Sequence, residues 1–463
     1  MFVADEFWTL DRIAEALAPL SQVNLPRGSR AIRRIATDTR SLEQGDVFVA
    51  LKGETFDGHD FLADAVKRGA AAVVVSKPPK LGELGVPVYE VDDTLVALGR
   101  LARFWRRAWG KGSEKSIVAV AGSNGKTSTK DLIRAALSET YDVHATTGNL
   151  NNRIGVPLTL LAMPAECDVA IVELGTSLPG EIALLREIVE PDIVVVTSIA
   201  EEHLEGLGDL AGVLREEAAA YDGAAVGIAP AEQPEIAAAA KSKVKKLVVA
   251  GLDVGHDFSA ESWHLGPDGA GHVEIDGLRI APQARGIHNL RNTMLALAVA
   301  RELAVDPAAA RRGIESMPQP KMRTAWTQIG RLTLINDVYN ANPGSTRAAI
   351  EMLAGADPKR QRVIVLGTMR ELGATSDKLH DEIVSLALQS GADIVAGIGD
   401  FEGALNRTSV TGGEKRVITA GDVDELWPKL QSRLQPDAII PLKASRGVQL
   451  ERLVPHLTTW AKA

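Results

Sequence analysis

SIVAVAGSNGKTSTKDLIRAAL, residues 116–137, is the stretch that decides the fold. Its first six residues, 116–121, are apolar and partly β-branched, which predicts a buried strand, and a helical pattern begins at Thr129. A glycine loop lies between the two. Glycines let backbone N–H groups turn toward phosphate oxygens, and the helix N-terminus adds positive potential. The stretch therefore predicts a nucleotide site in an α/β domain.

The residues of this loop have the chemistry to bind ATP and Mg²⁺. Lys126 is expected to neutralise the β- and γ-phosphates, and the Thr127 hydroxyl is expected to reach Mg²⁺. The general P-loop pattern has a glycine where this chain has Val120, so the loop is a shortened variant. A glycine turn that merely opens a helix is the structural alternative. The predicted ATP-binding residues of the loop are Gly122, Ser123, Asn124, Gly125, Lys126, Thr127 and Ser128.

Strand-like and helix-like segments alternate on both sides of the loop, in three blocks: residues 1–110, 111–318 and 319–463. Such alternation is typical of parallel sheets covered by helices. We predict an α/β fold of three domains: a small α/β domain, a central P-loop domain with a doubly wound, mostly parallel sheet, and a Rossmann-like α/β C-terminal domain. The polar segment 106–116 is predicted to be a linker.

The composition of the 463 residues narrows the class of protein. A net charge of −9, from 51 basic and 60 acidic side chains, disfavours a non-specific nucleic-acid binder. The single cysteine, Cys167, cannot form an intrachain disulfide, which fits a reducing cytosol. Residues 1–10 lack the features of a signal peptide, and apolar runs such as 193–200 are too short to span a bilayer. We expect a cytoplasmic monomer without membrane insertion or nucleic-acid partner.

Further motifs follow the loop in a distinctive order. Among them are TTGNLNNRIGVPLTLL (146–161), EEHLEGLGDLAGV (201–213), HNLRN (288–292) and NDVYNANPGST (336–346). Together with the variant GSNGKT they resemble the Mur ligase family, and 336–346 resembles its MurF branch most. Other matching segments are 37–40, 47–61, 173–182, 286–300, 367–380 and 442–446.

This resemblance implies a ligase that uses ATP and Mg²⁺ to make an amide bond in peptidoglycan precursor synthesis. Its substrates would be UDP-N-acetylmuramoyl (UDP-MurNAc) tripeptide and D-alanyl-D-alanine, joined through an acyl phosphate. The products would be UDP-MurNAc-pentapeptide, ADP and phosphate. The N-terminal domain would bind the UDP precursor, the central domain ATP, and the C-terminal domain the dipeptide.

The resemblance also assigns roles to individual residues, although histidines and asparagines taken singly are more often structural. The implied metal ligands are Thr127, Glu173, His203 and Glu217, and the implied catalytic residues are Lys126, His203 and Glu217. Implied ATP contacts outside the loop are Asn289, Asn292, Arg323, Asp337 and Asn340. The UDP-substrate residues would be Thr39, Arg40 and Lys52, and the acceptor residues Asn342, Lys443, Ser445 and Arg446.

Three positions depart from the family pattern. Many members carry a carbamylated lysine where this chain has Glu217. A glutamate supplies an anionic oxygen without modification, so we predict a second metal site that does not depend on CO₂; the alternative is that this site has decayed. Thr368 and Ala444 stand where the branch usually has aspartate and glycine. Both lie on the expected acceptor side.

Two other interpretations stay open. One is a different ligase of this architecture, either another Mur-type ligase or one like folylpolyglutamate synthetase, and segment 336–346 argues against both. The other is a P-loop regulatory NTPase that makes no bond, which would hydrolyse ATP without an amine present.

Overall fold

Helices and strands alternate along the chain as the sequence predicts. The computed structural model describes residues 7–20, 25–77, 84–111, 114–408 and 416–462. Segment 1–10, which is expected not to be a signal peptide, therefore lies partly outside the described residues. The strands are β1 (Ile35–Ala36), β2 (Val47–Val49), β3 (Ala72–Val75), β4 (Val88–Glu90), β5 (Ser116–Ala121), β6 (Val143–Ala145), β7 (Val169–Glu173), β8 (Ile193–Val196), β9 (Val226–Pro230), β10 (Lys246–Gly251), β11 (Phe258–Ser259), β12 (Ser262–Leu265), β13 (Gly271–Ile275), β14 (Leu278–Ile280), β15 (Ala325–Ile329), β16 (Leu332–Asp337), β17 (Val363–Gly367), β18 (Ile394–Ile398), β19 (Val417–Ala420) and β20 (Ile439–Lys443).

The helices cover the segments between these strands. They are α1 (Leu10–Leu17), α2 (Leu62–Lys67), α3 (Thr94–Trp109), α4 (Lys126–Leu137), α5 (Gly155–Leu161), α6 (Glu181–Val189), α7 (Leu204–Leu207), α8 (Leu210–Glu217), α9 (Pro234–Ala240), α10 (Ile287–Glu302), α11 (Pro307–Ser316), α12 (Pro343–Ala354), α13 (Ser376–Gln389), α14 (Asp400–Thr408), α15 (Val423–Gln431) and α16 (Leu453–Lys462). No helix in the described part of the chain is both long and apolar enough to cross a membrane.

The chain divides into two compact units. The first comprises Met1–Ala119, Tyr141–Gly175 and Glu181–Ile193, and the second comprises Val120–Thr140, Thr176–Gly180 and Val194–Ala463. In the first unit, β1 to β4 form a parallel sheet in chain order. A separate core of buried side chains, including Phe48 and Val73, packs around this sheet.

The prediction that residues 106–116 form a linker is wrong for its first part, because residues 106–109 belong to helix α3. The helix runs to Trp109 because its last turn packs into the protein: Trp109 is buried, and Arg106 makes tertiary contacts that its charge does not reveal. Arg106 is almost fully buried, and its guanidinium donates to Val189 O at 3.1 Å and pairs with Asp192 at 2.9 Å. Of the remaining linker, residues 112 and 113 lie outside the described residues.

The central sheet has seven strands in the order β11-β10-β9-β8-β5-β7-β6, with β5 leading into the glycine loop. The pairs β6–β7, β9–β10 and β10–β11 are parallel. Strand β9 lies in an alanine-rich stretch that the sequence does not mark as a strand. A second sheet, β12-β13-β14, is antiparallel and also unpredicted. Its strands are only three to five residues long and β12 is mostly exposed, although residues 262–265 do alternate polar and apolar side chains.

The C-terminal sheet has the order β15-β16-β20-β17-β18-β19, and only the edge strand β15 is antiparallel. Strand β17 is apolar throughout because both of its faces are covered. Val363 and Val365 join one hydrophobic core, while Ile364 and Leu366 join the other. The predicted α/β fold class is confirmed. Because β16, β20 and β17 are neighbours, the loops that follow them meet at one edge of the sheet.

Candidate active site

The glycine loop between β5 and α4 needs both of its glycines. Gly122 and Gly125 have φ values of +115° and +85°, in the region that favours glycine. A Cβ at Gly122 would lie 2.8 Å from the backbone nitrogen of Thr197, and one at Gly125 would lie 2.8 Å from Asn292 Oδ1. The loop therefore packs directly on its neighbours, and its backbone conformation is set.

Hydrogen bonds fasten the loop to the segment that follows β8. Ser123 N–H donates to Ser198 O at 2.7 Å, and Ser123 Oγ accepts from Ala200 N–H at 2.9 Å. The Thr197 hydroxyl donates to Asn124 O at 2.6 Å. These hydrogen bonds hold the loop in place without a ligand, as expected of a site whose N–H groups must be positioned before the substrate binds.

Beneath the loop lies a largely buried charge cluster, formed by Lys126, Glu202, His203 and Glu217. Both glutamates are buried, whereas the side chains of Lys126 and His203 are 14% and 21% exposed. Glu217 is completely buried, and its Oε2 accepts from Gly122 N–H at 2.7 Å. Lys126 Nζ donates to Gly122 O and lies 3.9 Å from Glu202 Oε1. Among the described residues, Glu217 Oε1 and Glu202 Oε1 have no hydrogen-bond partner.

The electrostatics of this cluster fit a divalent cation. Burial raises the pKa of Glu217 to about 7, and the positive charge of Lys126 opposes that rise. Burial likewise raises the pKa of Glu202 against the effect of Lys126. Mg²⁺ prefers carboxylate oxygens and usually binds through one or two carboxylates plus phosphates. In the described ranges, no three His, Cys, Asp or Glu side chains stand together as a ready-made metal site, so the predicted ligands Glu173, His203 and Glu217 are not assembled as one set. The phosphates of the nucleotide would therefore supply part of the coordination.

His203 connects this cluster to the loop after β17. It precedes α7 with φ +49°, its Nδ1 contacts Glu371 Oε2, and its Nε2 lies 3.9 Å from Glu202 Oε2. Burial disfavours its charge, but the hydrogen bond with Glu371 and the charges of both glutamates together raise its pKa. The same hydrogen bond lowers the pKa of Glu371. Neither glutamate was predicted as a site residue. The doubled acid in EEH is the only sequence signal for Glu202, and Glu371 has none.

Glu173 ends a fully buried strand, as its sequence predicts. It belongs to the first unit and is 3% exposed. Its N–H donates to Thr146 Oγ1 at 2.9 Å, and its Oε1 accepts from Asn151 Nδ2 at 2.9 Å. Its neighbours therefore fix the carboxylate in one orientation.

The two asparagines of the HNLRN motif are buried in the first turns of α10. Asn289 Nδ2 donates to Arg285 O at 2.7 Å, and Asn292 Nδ2 lies 3.4 Å from Asn289 Oδ1. Because Asn292 also lies against Gly125, it adjoins the glycine loop. The predicted common face of the two amides is present.

An ion pair joins two residues for which the family resemblance implies different roles; its lysine is buried and its aspartate is 15% exposed. Asp337 was predicted to contact ATP and Lys443 the acceptor, yet Lys443 Nζ lies 2.7 Å from Asp337 Oδ2. Asp337 Oδ1 also accepts from Thr324 N–H at 3.1 Å. Beside this pair, the Arg323 guanidinium lies 3.8 Å from the centre of the Tyr339 ring. Lys443 thus belongs with the predicted ATP residues as much as with the acceptor residues.

Asn342 links the glycine loop to the start of α12. Its side chain accepts from Ser345 N–H in a capping box, and its Nδ2 donates to Asn124 Oδ1 at 2.9 Å. Asn340 Oδ1 accepts from Ala341 N–H at 2.9 Å, which is turn chemistry. The two asparagines therefore shape the loop after β16.

The loop after β20 holds the other predicted acceptor residues. Ser445 is buried and donates its hydroxyl to Ala341 O at 3.3 Å, so it fastens this loop to the loop after β16. Arg446 is exposed, and its Nη1 lies 2.9 Å from Glu451 Oε1 and 3.1 Å from Met322 Sδ.

The predicted UDP-substrate residues lie in the first unit on two exposed turns. Thr39 begins a short 3₁₀ helix capped by Asp38. Arg40 is 88% exposed and forms a two-pronged pair with Asp38, at 3.0 and 2.7 Å. Lys52 is exposed and forms an isolated β-bridge with Asp57.

The two departures on the acceptor side have structural explanations. Thr368 Oγ1 accepts from Asp400 N–H at 2.9 Å, so it caps the first turn of α14, as an aspartate could. Ala444 is completely buried, and its methyl group occupies space that a Cβ at Gly367 would need. Neither substitution disrupts the loops.

Replacing Thr368 with valine should therefore loosen the start of α14. Loss of a capping oxygen costs about 1 kcal/mol, which predicts roughly fivefold faster amide hydrogen exchange at Asp400. Thr368→Ser and Thr368→Asp keep an acceptor and should exchange like the wild type. Unchanged exchange in Thr368→Val would show that the cap contributes nothing.

Comparison with known proteins identifies the family. The Mur ligase family catalytic domain matches residues 31–106, the Mur ligase middle domain matches 120–300, and the Mur ligase glutamate ligase domain matches 322–446. These matches follow the three predicted blocks in order.

Individual relatives agree. The chain is 34% identical to the UDP-N-acetylmuramoyl-tripeptide–D-alanyl-D-alanine ligase of Bacillus subtilis, over 92% of this chain and 93% of the relative. It is 33% identical to the enzyme of that name from Escherichia coli, over 91% and 93%. A crystal structure of MurF from Acinetobacter baumannii superposes with a TM-score of 0.86 at 29% identity, covering 98% and 99% of the two chains. The chain therefore belongs to the MurF branch of the Mur ligase family.

Proposed function

We propose that this chain is an ATP-dependent peptide ligase that adds D-alanyl-D-alanine to UDP-N-acetylmuramoyl tripeptide. The observation that carries the proposal is the glycine loop with the buried charge cluster beneath it, in a chain whose relatives bear the name of this ligase. Such a loop binds the phosphates of a nucleotide. The substrates are water-soluble, which suits a cytoplasmic enzyme, and we propose that it acts as a monomer.

The reaction needs ATP because a carboxylate is a poor electrophile. The carboxylate of the UDP precursor takes the γ-phosphoryl group of ATP and becomes an acyl phosphate, and ADP is released. The dipeptide amine then attacks the carbonyl carbon, phosphate leaves and the amine loses a proton. The protein's contribution is to position the three substrates and to neutralise charge on the transferred group.

We assign the residues to these tasks as follows. Lys126 and the loop N–H groups bind the phosphates of ATP, while Asn289, Asn292, Arg323, Asp337 and Asn340 bind the rest of the nucleotide. Thr127, Glu173, His203 and Glu217 would hold Mg²⁺, which supplies further positive charge to the phosphates when bound. Thr39, Arg40 and Lys52 bind the UDP precursor, and Asn342, Lys443, Ser445 and Arg446 serve the dipeptide. The domains would be residues 1–110, 111–318 and 319–463.

The decisive assay measures phosphate and pentapeptide product together. With ATP, Mg²⁺, UDP-MurNAc tripeptide and D-alanyl-D-alanine, we expect both products in equal amounts, and little phosphate when either substrate is left out. Offering diaminopimelate with its matching precursor tests for a different Mur-type ligase. Substantial ATP hydrolysis without substrates, and no pentapeptide with them, would favour the regulatory NTPase instead.

A further inference from the structure

One arginine beside the predicted acceptor residues has no ion-pair partner in the part of the chain that the structure describes. Arg370 lies in the loop after β17 and is exposed. Arg347, Arg407 and Arg452 of the same domain each have a carboxylate within 4 Å, whereas the described residues offer none to Arg370. The adjacent Glu371 forms its hydrogen bond with His203, which lowers the pKa of Glu371, and the positive charge of Arg370 lowers that pKa further.

The backbone of this arginine is fixed although its side chain is exposed. Arg370 N–H donates to Ser445 Oγ at 3.1 Å, and Ser445 N–H donates to Thr368 O at 3.2 Å. The guanidinium lies over Gly447, where a Cβ would overlap it. Two loops are therefore joined by hydrogen bonds, and the guanidinium spans them.

The location is one where open α/β sheets bind ligands. Strands β17 and β20 are parallel neighbours, with Leu366 opposite Lys443, so both loops follow the carboxyl ends of their strands. Of the cations on this edge, Lys443 is paired with Asp337 and Arg446 with Glu451. Of these three cations, Arg370 is the one for which the described residues supply no carboxylate within 4 Å.

We propose that Arg370 binds the C-terminal carboxylate of the incoming dipeptide and so selects acceptors with a free carboxylate. A guanidinium can bind a carboxylate through two parallel hydrogen bonds, which orients it as well as holding it. The amine at the other end of the dipeptide would then be free to attack. This inference rests on the proposed function.

The test compares D-alanyl-D-alanine with its C-terminal amide, using the full-length protein and its variants. In the wild type, the amide should raise the acceptor KM by roughly ten- to a hundredfold, the usual effect of losing a charged hydrogen-bonded pair. Arg370→Ala should raise KM for the free dipeptide to a similar degree, leave KM for the amide unchanged, and leave KM for ATP and the UDP precursor unchanged. Arg370→Lys should recover part of the loss.

A second variant moves the guanidinium without removing it. Gly447→Ala places a methyl group where the guanidinium lies, and since that end of the side chain is flexible the loop should still fold. It should raise KM for the free dipeptide but not for the amide. The control is Lys378→Ala, which removes a cation that is 78% exposed on α13.

The outcomes separate the two levels of the proposal. If the wild type makes no pentapeptide from D-alanyl-D-alanine, the proposed function fails and this contact fails with it. If the wild type is active but Arg370→Ala affects both acceptors equally, or raises KM for ATP instead, the ligase assignment stands and the carboxylate contact is wrong.

Discussion

Lys126→Met is expected to reduce ATP-dependent ligation by roughly 10²- to 10³-fold, the usual cost of removing one group that stabilises developing charge in an active site. Methionine keeps an unbranched side chain of similar length but lacks the ammonium group. In the structure that ammonium group contacts Gly122 O of the glycine loop and lies 3.9 Å from Glu202 Oε1. From there it can turn toward the β- and γ-phosphates of ATP.

The measurement is the rate of pentapeptide formation, with ATP binding followed by calorimetry. Arg134→Met is the matched control, because it removes a cation from the exposed face of the same helix. It should keep the wild-type rate. If Lys126→Met also keeps that rate, the phosphate-binding role of the loop is wrong.

The local features of the site could be predicted from sequence because short-range rules govern them. The order of strand, glycine loop and helix is one such feature, and the two glycines do adopt positive φ. The common face of Asn289 and Asn292 is another, since it follows from helical spacing.

Features that depend on tertiary contacts could not be predicted in this way. The local sequence does not show that Glu371 contacts His203 or that Lys443 pairs with Asp337. Nor does it show that the side chain of Arg370 lies over the loop that contains Gly447. The linker error has the same origin. Arg106 and Arg107 are charged, yet Arg106 is buried because distant acceptors are available to it, and Trp109 is buried as well.

Glu217→Gln is expected to weaken Mg²⁺ binding by at least about tenfold and to lower the ligation rate in parallel. Glutamine can still accept the hydrogen bond from Gly122 N–H, so the loop should keep its shape. What it loses is the negative charge and the carboxylate oxygen Oε1, which has no hydrogen-bond partner among the described residues. Mn²⁺ binding followed by electron paramagnetic resonance measures the metal site independently of activity.

The matched control is Glu205→Gln, which changes an exposed glutamate two residues after His203 and should leave metal binding intact. An unchanged rate and unchanged Mg²⁺ dependence in Glu217→Gln would mean that this site has decayed.

Replacing Glu217 with lysine, the residue that many family members carry at this position, tests whether the glutamate takes the place of a carbamylated lysine. A lysine at this position becomes an anionic ligand only after carbamylation by CO₂. Glu217→Lys should therefore be active only when bicarbonate is added. The ligation rate of the wild type should not change with bicarbonate, because its carboxylate needs no modification. Burial argues for the same distinction, since an unmodified lysine would bring a second positive charge near Lys126 at a position that is completely buried. Equal responses of the two proteins to bicarbonate would refute a CO₂-independent metal site at Glu217.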